Sequence, residues 1–538
     1  MTTQTSPSTP AVPTPVTKRA QGRSLADFGE LLPAEQKLLD YSATGKEAEV
    51  GDQVPKDAAD PNRIVRAGFL RFLLMGGDEQ APVHEKGVQL IGAWIEGELD
   101  LENCFVPHGM RLVKCNFNKL IIARGAHIAG SFNLAGSYLM EGLGADLLQC
   151  DHAVYLRSGF CSSGEVRLLN AHIGGDLDCS AGQFAPNQGY ALFADGVVVK
   201  CGVFLNRGFK ATSEVRLLGA QINGGLSYSH EHFVANGQNT LNIETATIKG
   251  LFLFSSLFAS ASIDAAFAHI GGLADGRGGW AKGSFLDGLV YSSLGGSAPT
   301  DAASRIAWLK MQSDEHLGED TLKRDFRPQP WKQLQKVLRE MGHDADARAV
   351  GVAFEEQLRK ADRIGQIADV GTAKNVFPVL RRKCLRALHW LFGFLAGYGY
   401  HPLRLFMSLV GVWLFCGVIY WWLAYAPHSA IGPTDPLVFQ NTAYSACAKE
   451  NNGNWMLCEQ LPAEYTTFSP LAYSLDILLP LVDLGQERHW GPLIPTPENN
   501  FCIALLSFSP SHWVRLLNWF QILYGWIASL LFVAIVSG

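Results

Sequence analysis

Polar and apolar residues alternate in short bursts along the first half of the chain, and the bursts recur. Val88 and Leu90 open one, Ile95 stands alone near a bend, and Leu99 and Leu101 close it. The same frame holds for Val166, Leu168, Ile173, Leu177 and Cys179, and again for Val215, Leu217, Ile222, Leu226 and Tyr228. Alternation over three or four residues is strand periodicity, and the Gly-Gly or Glu-Gly between the bursts is corner chemistry. Glu165–Cys179 reads EVRLLNAHIGGDLDC, and 49 residues later Glu214–Tyr228 reads EVRLLGAQINGGLSY. A third copy, GVQLIGAWIEGELDL, starts at Gly87, with fragments at His127 and His269. DHAVYLRSGF at Asp151 matches KCGVFLNRGF at Lys200, so one unit holds two coils of roughly 24 residues. A fixed period of strands and corners without helices predicts a parallel β-helix solenoid over 85–298, with roughly eight coils. Its phase turns Leu168, Ile173, Leu177, Leu217, Ile222 and Leu226 inward and leaves Arg167, Asp176 and Arg216 exposed.

Helical spacing flanks the coils. Residues 24–84 carry apolar positions three and four apart, in LADFGELLPAEQKLLDYSATG and NRIVRAGFLRFLLMGG, and predict a helical cap on the first coil. Residues 299–376 predict an αα-hairpin that closes the far end or transmits its position: Pro328 and Pro330 start one helix, and Gly342-His343-Asp344 turns into the next. Residues 377–404 form a basic, aromatic segment too short in its apolar part to span a bilayer. It reads as an interfacial helix broken at Gly397-Tyr398-Gly399. Two uniform apolar runs follow, 405–426 and 513–537, each long enough for a transmembrane helix of about 20 residues. The fold class expected is therefore a mainly β cytoplasmic domain with flanking helices, joined to a two-helix transmembrane region.

Composition sharpens this picture. Charged residues make up only 17%, beside 13 Trp and 30 Phe, and the net charge of −6 leaves no basic footprint for nucleic acid. Residues 1–23 lack an apolar signal-peptide core and read as a disordered polar tail. Arg381, Arg382, Lys383, Arg386 and Arg404 precede the first span, whereas the loop 427–512 holds only Lys449 and Arg488. The positive-inside rule then places both termini in the cytoplasm and the loop outside an inner membrane crossed twice. Cys104, Cys115, Cys150, Cys161, Cys179 and Cys201 read as small apolar core residues in a reducing compartment. Cys447 and Cys458, outside, are placed to form a disulfide, leaving Cys502 over.

Candidate chemistry is sparse. GxSxG, P-loop, HExxH and CxxC patterns do not occur, and GLGADL at Gly142 lacks the third glycine of a dinucleotide fingerprint. His230, Glu231 and His232 read as loop residues. His127, His172 and His269 recur where Gln221 and Trp94 stand in other copies, which suits a coil surface. No catalytic residue, metal or cofactor is assigned. The loop between the spans is richer: 468–486 reads FSPLAYSLDILLPLVDLGQ, an apolar helix followed by a turn. It fits an external cap on two anchor helices, or a re-entrant pore loop. In the pore layout Asp483, Gly485 and Gln486 lie in the turn. Asp483 from about four subunits would form a cation-attracting ring. Asp476 would orient the loop through backbone N–H groups.

RFLLMGGDE at Arg71, VHEKGVQLIGAWIEGELDL at Val83, PQPWKQLQKVLREMGHDADAR at Pro328, GYGYHP at Gly397 and YSLDILLPLVDLGQ at Tyr473 together resemble a family of poorly characterised bacterial membrane proteins. Its members often carry the name "membrane-associated oxidoreductase". The resemblance implies membrane association and, by that name, redox activity, but no matching cofactor motif transfers a site residue. The coils are also similar to pentapeptide-repeat and bactofilin-type β-helices, which imply a scaffold or binding rod. The leading expectation is a membrane-anchored, non-enzymatic scaffold or sensor in contact with lipid and a protein partner. The alternatives are a subunit of a homo-oligomeric pore and the named oxidoreductase.

Overall fold

The computed structural model describes residues 24–230, 240–256, 262–276, 280–311, 327–361, 363–364, 376–426, 429–447, 449, 453–459, 465–493 and 510–537. The expectations for the 1–23 tail, Glu231, His232 and Cys502 lie outside the described residues. The chain divides into two compact units, Met1–Gly351 and Val352–Gly538.

The first unit is a parallel β-solenoid of about eight turns. A typical coil has four two-residue strands, such as His127–Ile128, Phe132–Asn133, Tyr138–Leu139 and Leu143–Gly144, so the cross-section is four-sided. Stacking pairs each strand with its equivalent one coil on: Val154 with Leu177, Leu177 with Val203, and Val203 with Leu226. The last two steps advance 26 and 23 residues, which is the origin of the 49-residue period. Inward side chains fill the interior. Leu168, Ile173, Leu177, Leu217, Ile222 and Leu226 are all buried. Phe160, Phe184 and Phe209 stack from coil to coil at 5.3 Å spacing between ring centroids.

Two details depart from the sequence expectation. Gly174 and Gly224 lie at the expected bends for a different reason: neighbouring coils touch there. A Cβ on Gly174 would sit 2.0 Å from the Asp151 carbonyl oxygen. Gly97, in the Glu-Gly bend, is left-handed at φ 94° as expected, and other left-handed corners accept side chains, as at Asn170 (φ 51°) and Ala181 (φ 56°). Arg167, Asp176 and Arg216 are half-buried rather than exposed. Coil spacing lets each reach its neighbour: Arg167 pairs with Asp146 at 3.1 Å, Arg216 with Asp195 at 2.7 Å, and Asp176 accepts from the Gly202 amide at 2.8 Å.

Both ends of the stack are covered. Helix α1 (Pro33–Ser42) and helix α2 (Ala67–Leu74) stand at the start. Ile64–Arg66, expected as helix, is a strand paired with Trp94–Glu96, because an open sheet edge offers it ladder partners. Glu35 of α1 is buried and takes Arg66 at 2.6 Å. At the other end stand α3 (Ala302–Leu309) and α4 (Pro328–Glu340); α5 (Asp344–Lys360) begins in the first unit and ends in the second. Gln329 and Gln333 of α4 donate to the carbonyls of Leu289 and Tyr291 at 3.0 and 2.7 Å, completing bonds that a further coil would have made. Beneath them Arg305 and Asp275, each 1% exposed, form a bidentate pair, with the Trp280 indole N–H on the same carboxylate.

The second unit contains α6 (Val376–Ala396), an elbow at Gly397–Gly399, and α7 (Pro402–Tyr425). Then come α8 (Pro436–Gln440), α9 (Pro470–Leu478), α10 (Gln486–His489) and α11 (Pro510–Ser537). Helices α7 and α11 are long and apolar enough to cross a membrane. Ile431–Pro433 pairs antiparallel with Trp490–Pro492, so the segment between them is a closed excursion.

Ile222→Asp should lower the stability of the solenoid by about 4 kcal/mol or more, because an unpaired charge enters a filled interior. Thermal melting followed by circular dichroism checks it. A curve identical to wild type would mean that the coil phase is wrong.

Candidate functional site

The second unit brings its polar side chains together where α9 rests on α7 and α11. The sequence dictates α9 locally. Ser469 caps its start, Pro470 occupies the first turn, and Pro480 forces Leu479 into extended backbone (φ −97°, ψ 107°) and stops it. Small residues then allow close packing. A Cβ at Gly417 of α7 would lie 2.7 Å from the Leu471 side chain, and one at Gly525 of α11 would lie 1.8 Å from the Leu478 carbonyl.

Hydrogen bonds fix this seat. Trp413 donates its indole N–H to the Leu471 carbonyl at 2.9 Å, and Ser474 donates its hydroxyl to the Trp413 carbonyl at 2.8 Å. Gln521, fully buried, donates its amide N–H to the Ser474 carbonyl and hydroxyl, each at 2.7 Å. Tyr420 Oη lies 2.9 Å from both Gln521 Oε1 and Asn518 Oδ1, and Asn518 Nδ2 donates to Tyr473 Oη at 3.0 Å. Trp413 stands midway along α7 and Gln521 a little before the middle of α11. At 1.5 Å per residue both lie about 16–18 Å from the helix ends nearest the excursion. Helix α9 therefore sits at mid-height.

The return limb is lashed to it. Asp476, buried, accepts from the Leu484 amide at 2.6 Å and the Glu487 amide at 2.8 Å, the backbone role expected of it. Gln486, also buried, accepts from the Ser469 amide at 3.0 Å and donates to the Thr467 carbonyl at 3.3 Å. Gly485 is left-handed at φ 73° and starts α10. Asp483 is exposed. It accepts from the Gly485 amide at 2.9 Å and pairs with Arg488 of its own chain. Beside it Leu481 is 92% exposed, with Val482 and Leu484 also exposed. Cys447 and Cys458 are joined in a disulfide within the excursion.

Sequence reasoning found Asp476 and Gln486 but missed Tyr420, Ser474, Asn518, Gln521, Gly417 and Gly525. The available signal was the spacing Asn518, Gln521, Gly525 on one stripe of an otherwise apolar run. Elsewhere, His127, His172 and His269 share one outward column of the solenoid, linked through Gln149, Val198, Gln221 and Thr247. Burial pushes the Cys115 thiol up to about 12 and the Cys150 thiol up to about 11, which suits packing rather than thiol exchange. Cys201 is exposed at a corner, not in the core as expected, and Cys161 is half-buried. Among the described residues no three His, Cys, Asp or Glu side chains stand in metal-holding geometry.

Asp476→Ala removes one acceptor from two backbone amides and should lower stability by about 2–3 kcal/mol. Asp483→Ala, at an exposed pair, should cost under about 1 kcal/mol. Tryptophan fluorescence during thermal unfolding in detergent ranks the two. Equal effects would show that the Asp476 lash does not hold the loop.

Comparison with known proteins names no relative for this arrangement: no family model, curated protein or solved structure matches the chain.

Proposed function

We propose that the chain is an integral membrane protein whose second unit is a two-span anchor with a re-entrant helix. The solenoid is then a cytoplasmic scaffold for a protein partner. The observation that carries this reading is the inverted polarity of the second unit. Tyr420, Ser474 and Gln521 are buried between helices, while Phe406, Phe415, Val418, Trp421 and Trp422 of α7 face outward. So do Trp519, Phe520, Leu523, Ile527 and Leu530 of α11. Water would penalise that surface by about 25 cal/mol per Å², whereas lipid does not. The basic run Arg381–Arg386 before α7 supports a cytoplasmic solenoid, and a disulfide at Cys447–Cys458 suits an oxidising exterior. The likeness of several segments to bacterial membrane proteins points the same way. Exposed Phe105, Leu251, Leu253 and Val290 give the solenoid apolar surface for a partner.

A second reading, an oligomeric pore, is favoured by the mid-height position of α9 and its turn, since non-helical backbone at that depth must be buried or line a cavity. Asp483 contributes less charge to such a path than a lone acid, because Arg488 offsets it. Conductance of the reconstituted protein beside Asp483→Asn tests this. No current at any voltage or pH tried removes the pore.

For the anchor, the full chain should stay in the membrane pellet after an alkaline carbonate wash. Reporters active only outside the membrane should give signal when fused after Gly453 and none when fused after Gly538. Release by carbonate, or signal at the second site, overturns the reading.

A further inference from the structure

The elbow between α6 and α7 has features that neither an anchor nor a pore requires. Gly397, Tyr398 and Gly399 are all left-handed, at φ 53°, 56° and 87°. For Tyr398 that conformation costs energy and persists because its surroundings fix it. Its ring lies 4.6 Å from that of His389, and a Cβ on Gly393 would strike it at 2.3 Å. The elbow is seated on α11 through a buried cluster of Ala396, Leu405 and Ala528. The chain thus holds a sharp, rigid bend at the end of α7 that precedes the apolar run.

A cavity of about 540 Å³ opens at this bend. Phe394, Leu395, Leu403 and Met407 line it with apolar surface, and His401 and Arg404 line it with polar groups. The Arg404 side chain is exposed and makes no ion pair among those found in the described residues. The volume lies within the range of roughly 300–1,000 Å³ typical of sites for small ligands. Helix α6, which leads into it, is amphipathic. With about 100° per residue, Leu380, Leu388, Leu391 and Phe394 fall in one arc and Arg382 and Arg386 in the opposite one. Arg381 and Lys383 flank the apolar arc, as cations do on helices lying in a membrane surface.

We propose that this elbow cavity binds an acidic phospholipid of the cytoplasmic leaflet. The proposal rests on the membrane reading above. The phosphate meets Arg404 and His401, and the upper acyl chain lies along Phe394, Leu403 and Met407. Charge complementarity selects the ligand: Arg404 and the Arg381, Arg382, Lys383 and Arg386 run outnumber the acids facing the elbow, Glu355 on His389 and Glu356 near Tyr398, so a headgroup of net negative charge gains over a zwitterionic one. The apolar walls distinguish a lipid from free phosphate, which would leave them wet. A lipid held there fixes the angle between α6 and α7 from below, where the rigid bend has already set it from within.

The test uses the purified full chain in detergent, titrated with fluorescent phosphatidylglycerol and, separately, fluorescent phosphatidylcholine. The acidic lipid should bind about fivefold or more tighter. Arg404→Gln should bring the two lipids to within about twofold, and Arg404→Lys should restore most of the difference. Met407→Trp fills the cavity and should abolish binding of both, with the melting curve of each variant recorded as a check on folding. Equal affinity for the two lipids in wild type overturns the proposal. Displacement of the lipid by millimolar inorganic phosphate overturns it too, in favour of a free-anion site. A change in subunit number on Met407→Trp without loss of lipid would make the cavity a subunit contact instead. Release of wild type by carbonate would remove the membrane reading itself, whereas retention without lipid preference removes only this site.

Discussion

A buried backbone amide or carbonyl without a partner costs about 1–3 kcal/mol, and both units are arranged around that cost. In the solenoid every coil lends its edge to the next, so the difficulty is concentrated at the two ends. Ile64–Arg66 resolves one by pairing as a strand, and the side-chain amides of Gln329 and Gln333 resolve the other by standing in for backbone. In the second unit α7 and α11 satisfy their own backbones. There the difficulty sits at α9 and its return limb, where Gln521, Asp476 and Gln486 meet groups that no ladder reaches.

The two units also solve opposite partition problems. The solenoid packs Leu, Ile, Val and Phe inside and turns Arg167–Asp146 and Arg216–Asp195 pairs outward. The helical unit buries Tyr420, Ser474 and Gln521 beside an apolar cluster that includes Phe468 and Trp490, and turns Trp421, Trp422 and Phe415 outward. One chain therefore carries two kinds of surface, one with charged pairs turned outward and one with Trp and Phe turned outward.

The solenoid was legible because its signal repeats: Ile173 and Ile222 occupy the same frame, and each copy strengthens the reading of the others. Single-copy features were legible only where one residue type has a narrow use. Asp476 was read as a backbone acceptor, and Cys447 with Cys458 as a pair, on such grounds. Ile64–Arg66 has helical spacing, a local property, but the sheet edge that claims it belongs to the fold. For Arg167 and Arg216, alternation reports the outward face but not how close the next coil lies. The seat of α9 went unseen because two amides and two glycines in long apolar runs do not raise a periodic signal. Their meaning depends on a helix that arrives from elsewhere in the chain.

The caps reach no further than the two coils at each end: Asp52 and Pro55 accept from Lys114 and Asn116, and Arg305 pairs with Asp275. Helices α1 and α2 meet the first coils, and α4 meets the last, so nothing in either cap measures the distance between them. Interior coils present the same edge to both neighbours, and a 49-residue block such as 154–202 begins and ends in the same phase. Duplicating or removing that block would change the length of the rod by two coils, about 10 Å, while both closures stayed intact. The solenoid is in this sense a spacer of adjustable reach, whose length can change without any compensating change at its ends.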